Sequence, residues 1–456
     1  MAMAQYGPGL SLSMLAVLMV LLFTGFPVAW CLAGVGLLYA GLGIVLDVFN
    51  PMQLFLVVSR IWGGVAENLV LVAVPMFIFM GVMLERSGVA RSLLEILSVL
   101  LRRVPGGLAL AVVVMGTIMA ATTGIVGASV VMLGMLALPV MVERGYAKGP
   151  TAGVIASSGT LGILIPPSIM LVIMADLLAI PVGDLFTGAV MPGLMLAGLY
   201  LVYIVVFGLL RPKAMPRATE PWAGTGRDLA ILLLKGFVPP AVLVVMVLGS
   251  IVAGLATPTE AAGVGAFGAV VLAVANRSFG LRLLTDVMRE AALTNAMIFA
   301  ILCGAAIFSY VFRTLGGDDA IMEAINALDL HDWQLLVLLM TIIFLLGFFF
   351  DWLEIVLIIL PVFRPVVLSL DLGEAVPQDR LLLWFAIIVA VNLQTSYLTP
   401  PFGPALFYLR QVGRDALSLS DIYRGIVPFT VLQLLALVLC IVFPAIVLWF
   451  PGVVGF

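Results

Sequence analysis

Long apolar stretches separated by short polar joints run the length of the chain. A membrane-spanning helix needs about 20 consecutive apolar residues. The pattern predicts spans at roughly 10–25, 28–46, 68–85, 150–180, 188–210, 229–251, 258–276, 292–313, 382–410 and 426–450. Two further stretches, roughly 106–142 and 333–370, are too long for one helix. Their middles carry small or polar residues, Ala121-Thr122-Thr123-Gly124 in the first and Phe350-Asp351-Trp352-Leu353-Glu354 in the second. In segment 88–103, Val89, Leu93, Leu94 and Leu97 are set against Arg91, Glu95 and Arg102, the pattern of an amphipathic helix lying on a membrane face.

The script repeats. Ala33-Gly34-Val35-Gly36 recurs as Ala262-Gly263-Val264-Gly265, and the segment from Asp184 to Pro192 recurs from Asp421 to Pro428. A Pro-Pro pair interrupts an apolar stretch in each half, at Pro166-Pro167 and at Pro400-Pro401. Such paired interruptions are the best sequence pointer to a transporter binding site. Basic residues decide the orientation. Arg102, Arg103, Arg144 and Lys148 flank the stretch 106–142 and place both of its ends in the cytoplasm, so it is either two spans or a re-entrant hairpin. Its polar, glycine-containing middle favours a hairpin sheltered in protein. The stretch 333–370 has Asp318, Asp319, Glu323, Asp329 and Asp332 before it and Glu374 and Asp379 after it, which suits the periplasmic side, with Arg364 and Arg380 as exceptions. Each half then has an odd number of crossings plus one hairpin, so the halves, residues 1–210 and 229–456, are inverted. A basic, proline-containing linker at 211–228 joins them in the cytoplasm, and both termini fall on the periplasmic side. The expected architecture is an all-α polytopic membrane protein built as an inverted repeat, with two re-entrant hairpins and two broken helices, at about 150–180 and 382–410.

Composition agrees with this reading. The chain has 456 residues, 64% hydrophobic and 10% charged, where soluble domains carry about 25% charged residues. A net charge of −3 and the lack of any basic tract argue against nucleic acid as a partner. No positive residue precedes the first apolar stretch, so a retained helix is expected there rather than a cleaved signal. Cys31, Cys303 and Cys440 are far apart in apolar contexts and read as buried small hydrophobes, and the single histidine, His331, cannot build a metal centre with them. No phosphate-binding loop, H-E-x-x-H or G-x-S-x-G pattern occurs, so no cofactor or catalytic set is expected.

Four interrupted places should meet near the middle of the membrane. The first hairpin offers Thr122, Thr123, Gly124, Gly127 and Ser129; the first broken helix offers Ser157, Ser158, Gly159, Thr160, Pro166, Pro167 and Ser168. The second hairpin offers Asp351 and Glu354; the second broken helix offers Asn392, Gln394, Thr395, Ser396, Thr399, Pro400 and Pro401. Unwound backbone supplies carbonyl oxygens beside hydroxyls. Hard oxygen ligands without thiol or imidazole suit sodium, and half-helix N-termini suit an anionic substrate. Each hydroxyl also has a plain structural reading, a bond to the preceding turn or to a neighbouring helix. Asp351 and Glu354 are read as carriers of an ion or proton if they lie at membrane depth, or as surface acids if the hairpin is shallow. As an acid pair of an intramembrane enzyme they lack a nucleophile, base and oxyanion set. Asp184 and Asp421 read as helix caps.

The residues Ser158-Gly159-Thr160-Leu161-Gly162-Ile163-Leu164-Ile165-Pro166-Pro167-Ser168 resemble the signature of the large permease subunit of tripartite ATP-independent periplasmic (TRAP) transporters, the DctM-like proteins. Leu255-Ala256-Thr257-Pro258-Thr259-Glu260-Ala261-Ala262-Gly263 and Arg103-Val104-Pro105-Gly106-Gly107-Leu108 resemble other stretches of that family. The segments 347–355 and 392–403 are similar to the branch labelled mannitol/chloroaromatic. The resemblance implies sodium-driven uptake of an organic acid, such as a 2-oxo acid, another monocarboxylate or a dicarboxylate, across the bacterial inner membrane by an elevator motion. It implies two partners, a small four-helix membrane subunit (DctQ-like) and a soluble periplasmic binding protein (DctP-like). It also implies one sodium ion near Ser129, Ser158 and Thr160 and a second near Asp351, Thr395 and Thr399. A stand-alone sodium/carboxylate symporter of the same architecture is the alternative.

Overall fold

The computed structural model describes residues 2–123, 126–217, 225–400, 403–414 and 416–454, and these form helices joined by short turns. The first half runs α1 (Ala2–Leu22), α2 (Val28–Val45), α3 (Leu54–Ile61), α4 (Ala73–Arg86), α5 (Val89–Leu100), α6 (Gly107–Thr123), α7 (Val126–Glu143), α8 (Lys148–Thr160), α9 (Ile169–Leu178) and α10 (Val182–Leu210). The second half runs α11 (Gly226–Leu232), α12 (Val238–Val252), α13 (Pro258–Ala275), α14 (Leu281–Thr314), α15 (Gly317–Asn326), α16 (Asp332–Leu346), α17 (Trp352–Leu368), α18 (Leu381–Leu398), α19 (Pro404–Val412), α20 (Leu419–Val442) and α21 (Ala445–Val454).

Local chemistry sets the helix ends. Thr257 and Ser418 open α13 and α20 as N-caps in reciprocal boxes with Glu260 and Asp421, which satisfies amide groups that a helix start leaves open. Asp421 therefore belongs to a cap, as expected, with Ser418 as the capping residue proper. The two short helices α5 and α15 are each entered through a left-handed glycine, Gly88 and Gly316, both at φ 78°. Each precedes a pair of helices, α6 and α7 in one case and α16 and α17 in the other.

Among the described residues, eight helices are long and apolar enough to cross a membrane, or nine if Pro51–Ala66 and Val70–Arg86, bent by 53°, count as one span. The protein is a polytopic all-helical membrane protein. Two details depart from the sequence reading. The expected span at 68–85 is preceded by a helical segment from residue 51 that the hydropathy pattern did not single out, because Arg60 and the Gly63-Gly64 pair dilute it. The stretch 426–450 is not one helix; it breaks at Phe443 into α20 and α21, where Pro444 withholds its backbone donor.

The helices sort into two groups, which meet where α4 and α12 pack on α6 and α14 packs on α17. One comprises α2, α4, α12, α13 and α14; the other comprises α6 to α10 and α16 to α20. Outer helices keep apolar side chains facing away from the protein, with Trp30 75% and Val45 80% exposed. Helix α18 is the opposite case, since 94% of its apolar window is buried against 17% for the Arg227–Val252 segment. The tightest contact in the second group joins α8 to α20. A Cβ built on Gly153 would overlap the Gly425 carbonyl, and one on Gly425 would overlap the Gly149 carbonyl. Without a hydrophobic drive between helices in lipid, small residues let backbones approach and gain dispersion contact.

Gly425→Ala is expected to destabilise the purified protein by about 1–3 kcal/mol, the usual cost of overpacking. Gly198→Ala, where a Cβ meets nothing within 4 Å, should raise stability by up to about 1 kcal/mol, because alanine is the better helix former. Thermal unfolding of both variants in detergent checks the contrast; equal melting temperatures would show that the α8–α20 contact is not as close as described.

Candidate functional site

The two broken helices lie at the centre of the second group. The first break separates α8 from α9 at residues 161–168 and contains a cis peptide between Pro166 and Pro167. Ser168 Oγ donates to the Ile163 carbonyl at 2.7 Å and satisfies one acceptor that the unwinding frees. The second break follows Thr399 and ends at Gly403, where α19 begins. Pro401 and Phe402 lie outside the described residues, and so does Gly124 of the first hairpin. Thr122 and Thr123 end helix α6.

Each hairpin stretch forms two helices, and these pack on both broken helices. Helices α6 and α7 pack against α8, and α7 also packs against α19. Helices α16 and α17 pack against α18, and α17 also packs against α9. Gly159 sits so close to α7 that a Cβ there would stand 3.0 Å from the Val130 Cα. On the other side a Cβ at Gly347 would overlap the Ser396 side chain. Asn392 Nδ2 donates to the Met340 carbonyl at 2.7 Å, tying α18 to the first arm of the second hairpin. All four interrupted places are thus brought together.

Most hydroxyls there take the plain structural reading. Ser157, Thr160, Thr395, Ser396 and Thr399 each donate to a carbonyl of their own helix at 2.8–3.2 Å. Donation uses only the hydrogen, so the oxygen lone pairs stay available to a cation. Ser158 Oγ is fully buried with no hydrogen-bond partner. Ser129 is buried at the start of α7.

Asp351 is exposed and caps α17; its Oδ1 accepts from the Trp352 amide at 2.8 Å. The same amide donates to the Tyr397 hydroxyl at 2.9 Å, which fastens the tip of the second hairpin to the second broken helix. Glu354, half-buried one turn on, faces a small apolar pocket lined by Met19, Leu22, Phe350 and Ile355. Two of the arginines are engaged away from this centre. Arg60 lies over the Tyr310 ring at 5.9 Å from its centroid, and Arg313 pairs with Asp318 at 3.7 Å. Among the described residues no group of three or more His, Cys, Asp or Glu could hold a metal ion.

Three residues at this centre were not singled out by the sequence. Tyr397 is flanked by polar neighbours and could have been read with them. Tyr200 and Gln433 lie in the long apolar helices α10 and α20, and both are fully buried. Gln394 and Gln433 each place an amide nitrogen 3.5 Å from Thr160 Oγ1.

The profile of the family described as "Tripartite ATP-independent periplasmic transporter, DctM component" matches residues 15–446. The chain belongs to the DctM family. Its relatives include the C4-dicarboxylate TRAP transporter large permease protein DctM of Pseudomonas aeruginosa, 31% identical over 393 residues, covering 86% of this chain and 88% of that one. The ectoine TRAP transporter large permease protein TeaC of Halomonas elongata is 28% identical over 442 residues, covering 96% and 97%. The isethionate TRAP transporter permease protein DctMQ of Oleidesulfovibrio alaskensis is 30% identical over 391 residues, covering 85% of this chain and 59% of that longer protein. Among solved structures, the YdaH transporter of Alcanivorax borkumensis shares the fold, with a TM-score of 0.57 at 15% identity, covering 88% and 87% of the two chains. The DctM-family chain is a transport protein and not an enzyme. Identity near 30% places it in the family without resolving the mannitol/chloroaromatic branch.

Asp351→Ala removes the cap of α17 and should cost about 0.5–2 kcal/mol, whereas Asp351→Asn keeps an acceptor and should cost a few tenths. Thermal unfolding without sodium, read with amide exchange at the first turn of α17, checks this. Equal loss in both variants would show that charge, not capping, holds the hairpin tip.

Proposed function

We propose that this chain is the large permease subunit of a TRAP transporter that takes up a small organic acid across the bacterial inner membrane, driven by a sodium gradient. A periplasmic binding protein delivers the substrate, and a small membrane subunit pairs with the outer helices. The observation that carries the reading is the crossing of two broken helices inside two hairpins, because irregular backbone with hydroxyls and amides is what a dehydrated ion and an anionic head group require. Relatives named for C4-dicarboxylate, isethionate and ectoine all carry an anionic group on a small solute, which supports an organic acid as cargo. The relative named DctMQ is longer than the region matched here, as expected where a second membrane subunit is fused to the large one.

In this reading the hairpins are re-entrant. The group containing α6 to α10 and α16 to α20 moves as one body against α2, α4 and α12 to α14 in an elevator motion. Sodium sits near Ser129, Ser158 and Thr160, and near Asp351, Thr395 and Thr399. The separation of the helices into two packed groups supports this division.

The test is uptake in proteoliposomes holding this chain and its small partner, with an inward sodium gradient and radiolabelled 2-oxo acids or C4-dicarboxylates. Uptake should require both sodium and the soluble protein, and Asp351→Asn should lower the initial rate about tenfold or more, equivalent to about 1.4 kcal/mol. Uptake that needs sodium but no soluble protein would replace the proposal with a stand-alone symporter. Uptake indifferent to sodium would overturn the coupling.

A further inference from the structure

A hydrogen bond joins the two groups where the bent pair breaks. Asn68 lies between Ala66 and Val70, at the 53° bend before α4. Asp176 lies in the last turn of α9, the second arm of the first broken helix. Asn68 Nδ2 donates to Asp176 Oδ1 at 2.7 Å. The Asn68 side chain is held for this contact, because its Oδ1 accepts from the Val70 amide at 3.0 Å. Residues 70–72 and α4 pack on α9 beside it. On the inverted-repeat reading each partner has a counterpart. Arg410, in the last turn of α19, follows Asp176 by the interval that separates the two Pro-Pro pairs, 410 − 176 against 400 − 166. Asn295, on α14, follows Asn68 by nearly the interval between the two Ala-Gly-Val-Gly segments, 295 − 68 against 262 − 33. This second pair is open. Asn295 Nδ2 donates to the Ala291 carbonyl at 2.8 Å, and its Oδ1 is buried with no hydrogen-bond partner. Arg410 Nη1 donates to the Arg414 and Leu417 carbonyls, which leaves further guanidinium N–H groups to spare. Among the described residues α19 does not pack on α14 as α9 packs on α4.

We infer that Asn68–Asp176 and Asn295–Arg410 are alternating latches, one closed at each end of the elevator stroke. The chemistry is complementary in both. An amide donates to a carboxylate in the first, and a guanidinium donates to an amide oxygen in the second. The second hairpin is entered from the acidic flank expected on the periplasmic side, yet its tip reaches Phe23, one residue past the end of α1. Helix α1 is expected to start on that same side, and its 21 residues span about 30 Å. The moving group therefore stands toward the cytoplasm here. In that position Asp176 is drawn level with Asn68, and Arg410 lies below Asn295. Travel toward the periplasm carries Asp176 out past Asn68 and lifts Arg410 toward the open Asn295 oxygen. Leaving a buried oxygen unpaired is costly, and the Asn295 oxygen is accounted for as half of a contact made in the other state. Each latch is a single hydrogen bond to a charged group, strong enough to bias a state and too weak to trap it.

The inference rests on the elevator reading, and cross-linking in the membrane tests both without a cargo. The full chain, in vesicles of the membrane that expresses it, carries Cys31→Ala, Cys303→Ala and Cys440→Ala. It then receives one pair at a time, Asn295→Cys with Arg410→Cys, or Phe23→Cys with Phe350→Cys. A short bismaleimide bridges each pair, and the bridged fraction is read as paired loss of free thiols after denaturation. With the first latch intact, the pair 23/350 should bridge readily and the pair 295/410 slowly. Asp176→Ala should raise the rate at 295/410 severalfold and lower that at 23/350, and Asp176→Asn, which keeps an acceptor oxygen, should do so less. If Asp176→Ala does not reach the membrane, Asn68→Ala makes the same comparison. A falling rate at 23/350 with no bridging at 295/410 would overturn the latches and leave the elevator standing. A rise as large in Asp176→Asn as in Asp176→Ala would do the same, since the bond itself would then not matter. No change at either pair would overturn both readings.

Discussion

Backbone amides and carbonyls that leave a helix at membrane depth must find partners in protein, because lipid offers none. A chain that breaks two of its spanning helices must therefore wrap both breaks. That requirement explains why α18 is almost wholly enclosed and the peripheral helices are not. It explains the hairpins as well, since they supply walls where no continuous helix could reach. It also explains the small residues: Gly159, Gly347, Gly153 and Gly425 lie where a wall must come within backbone distance to exclude lipid.

The wrapped centre is symmetric in plan and asymmetric in chemistry. Thr160 and Gln394 fill equivalent places, as do the two hairpins, yet the acids Asp351 and Glu354 belong to the second hairpin alone. The Trp352 amide joins Asp351 and Tyr397 at one point, so the tip that carries charge is also the tip fastened directly to a broken helix. On the inverted-repeat reading, the two halves share a frame and hold different charges within it.

Much of this was legible in the chain because proline and charge are strong local signals. The Pro-Pro pairs announced both breaks, and the small or polar middles of the stretches 106–142 and 333–370 announced two helices in each. The bend before α4 was missed because Arg60 and two glycines lower the hydropathy of residues 51–66 without ending the helix. The break at Phe443 was missed because every neighbour of Pro444 is apolar. Tyr200 and Gln433 were missed for a different reason. A single polar residue in an apolar helix has no local pattern, and its meaning comes from a residue more than two hundred positions away. Only packing brings Gln433 to Thr160.

The contacts of the second group differ in kind, and the difference bears on motion. Helices α8 and α20 meet backbone to backbone, a contact that cannot slide without losing its fit. The second hairpin meets the turn after α1 through Phe23, whose ring lies 5.2 Å from Phe349 and 5.4 Å from Phe350. An apolar pocket lies beside that seam. Apolar surfaces exchange neighbours at little cost, so on the elevator reading slippage belongs at the Phe23 seam and rigidity at the glycine seam. Glu354 faces the pocket on the sliding side. A charged carboxylate there needs water or a proton whenever the seam closes over it, because burying an unpaired charge is costly. On the elevator reading, the position of the hairpin and the state of that one carboxylate are therefore coupled.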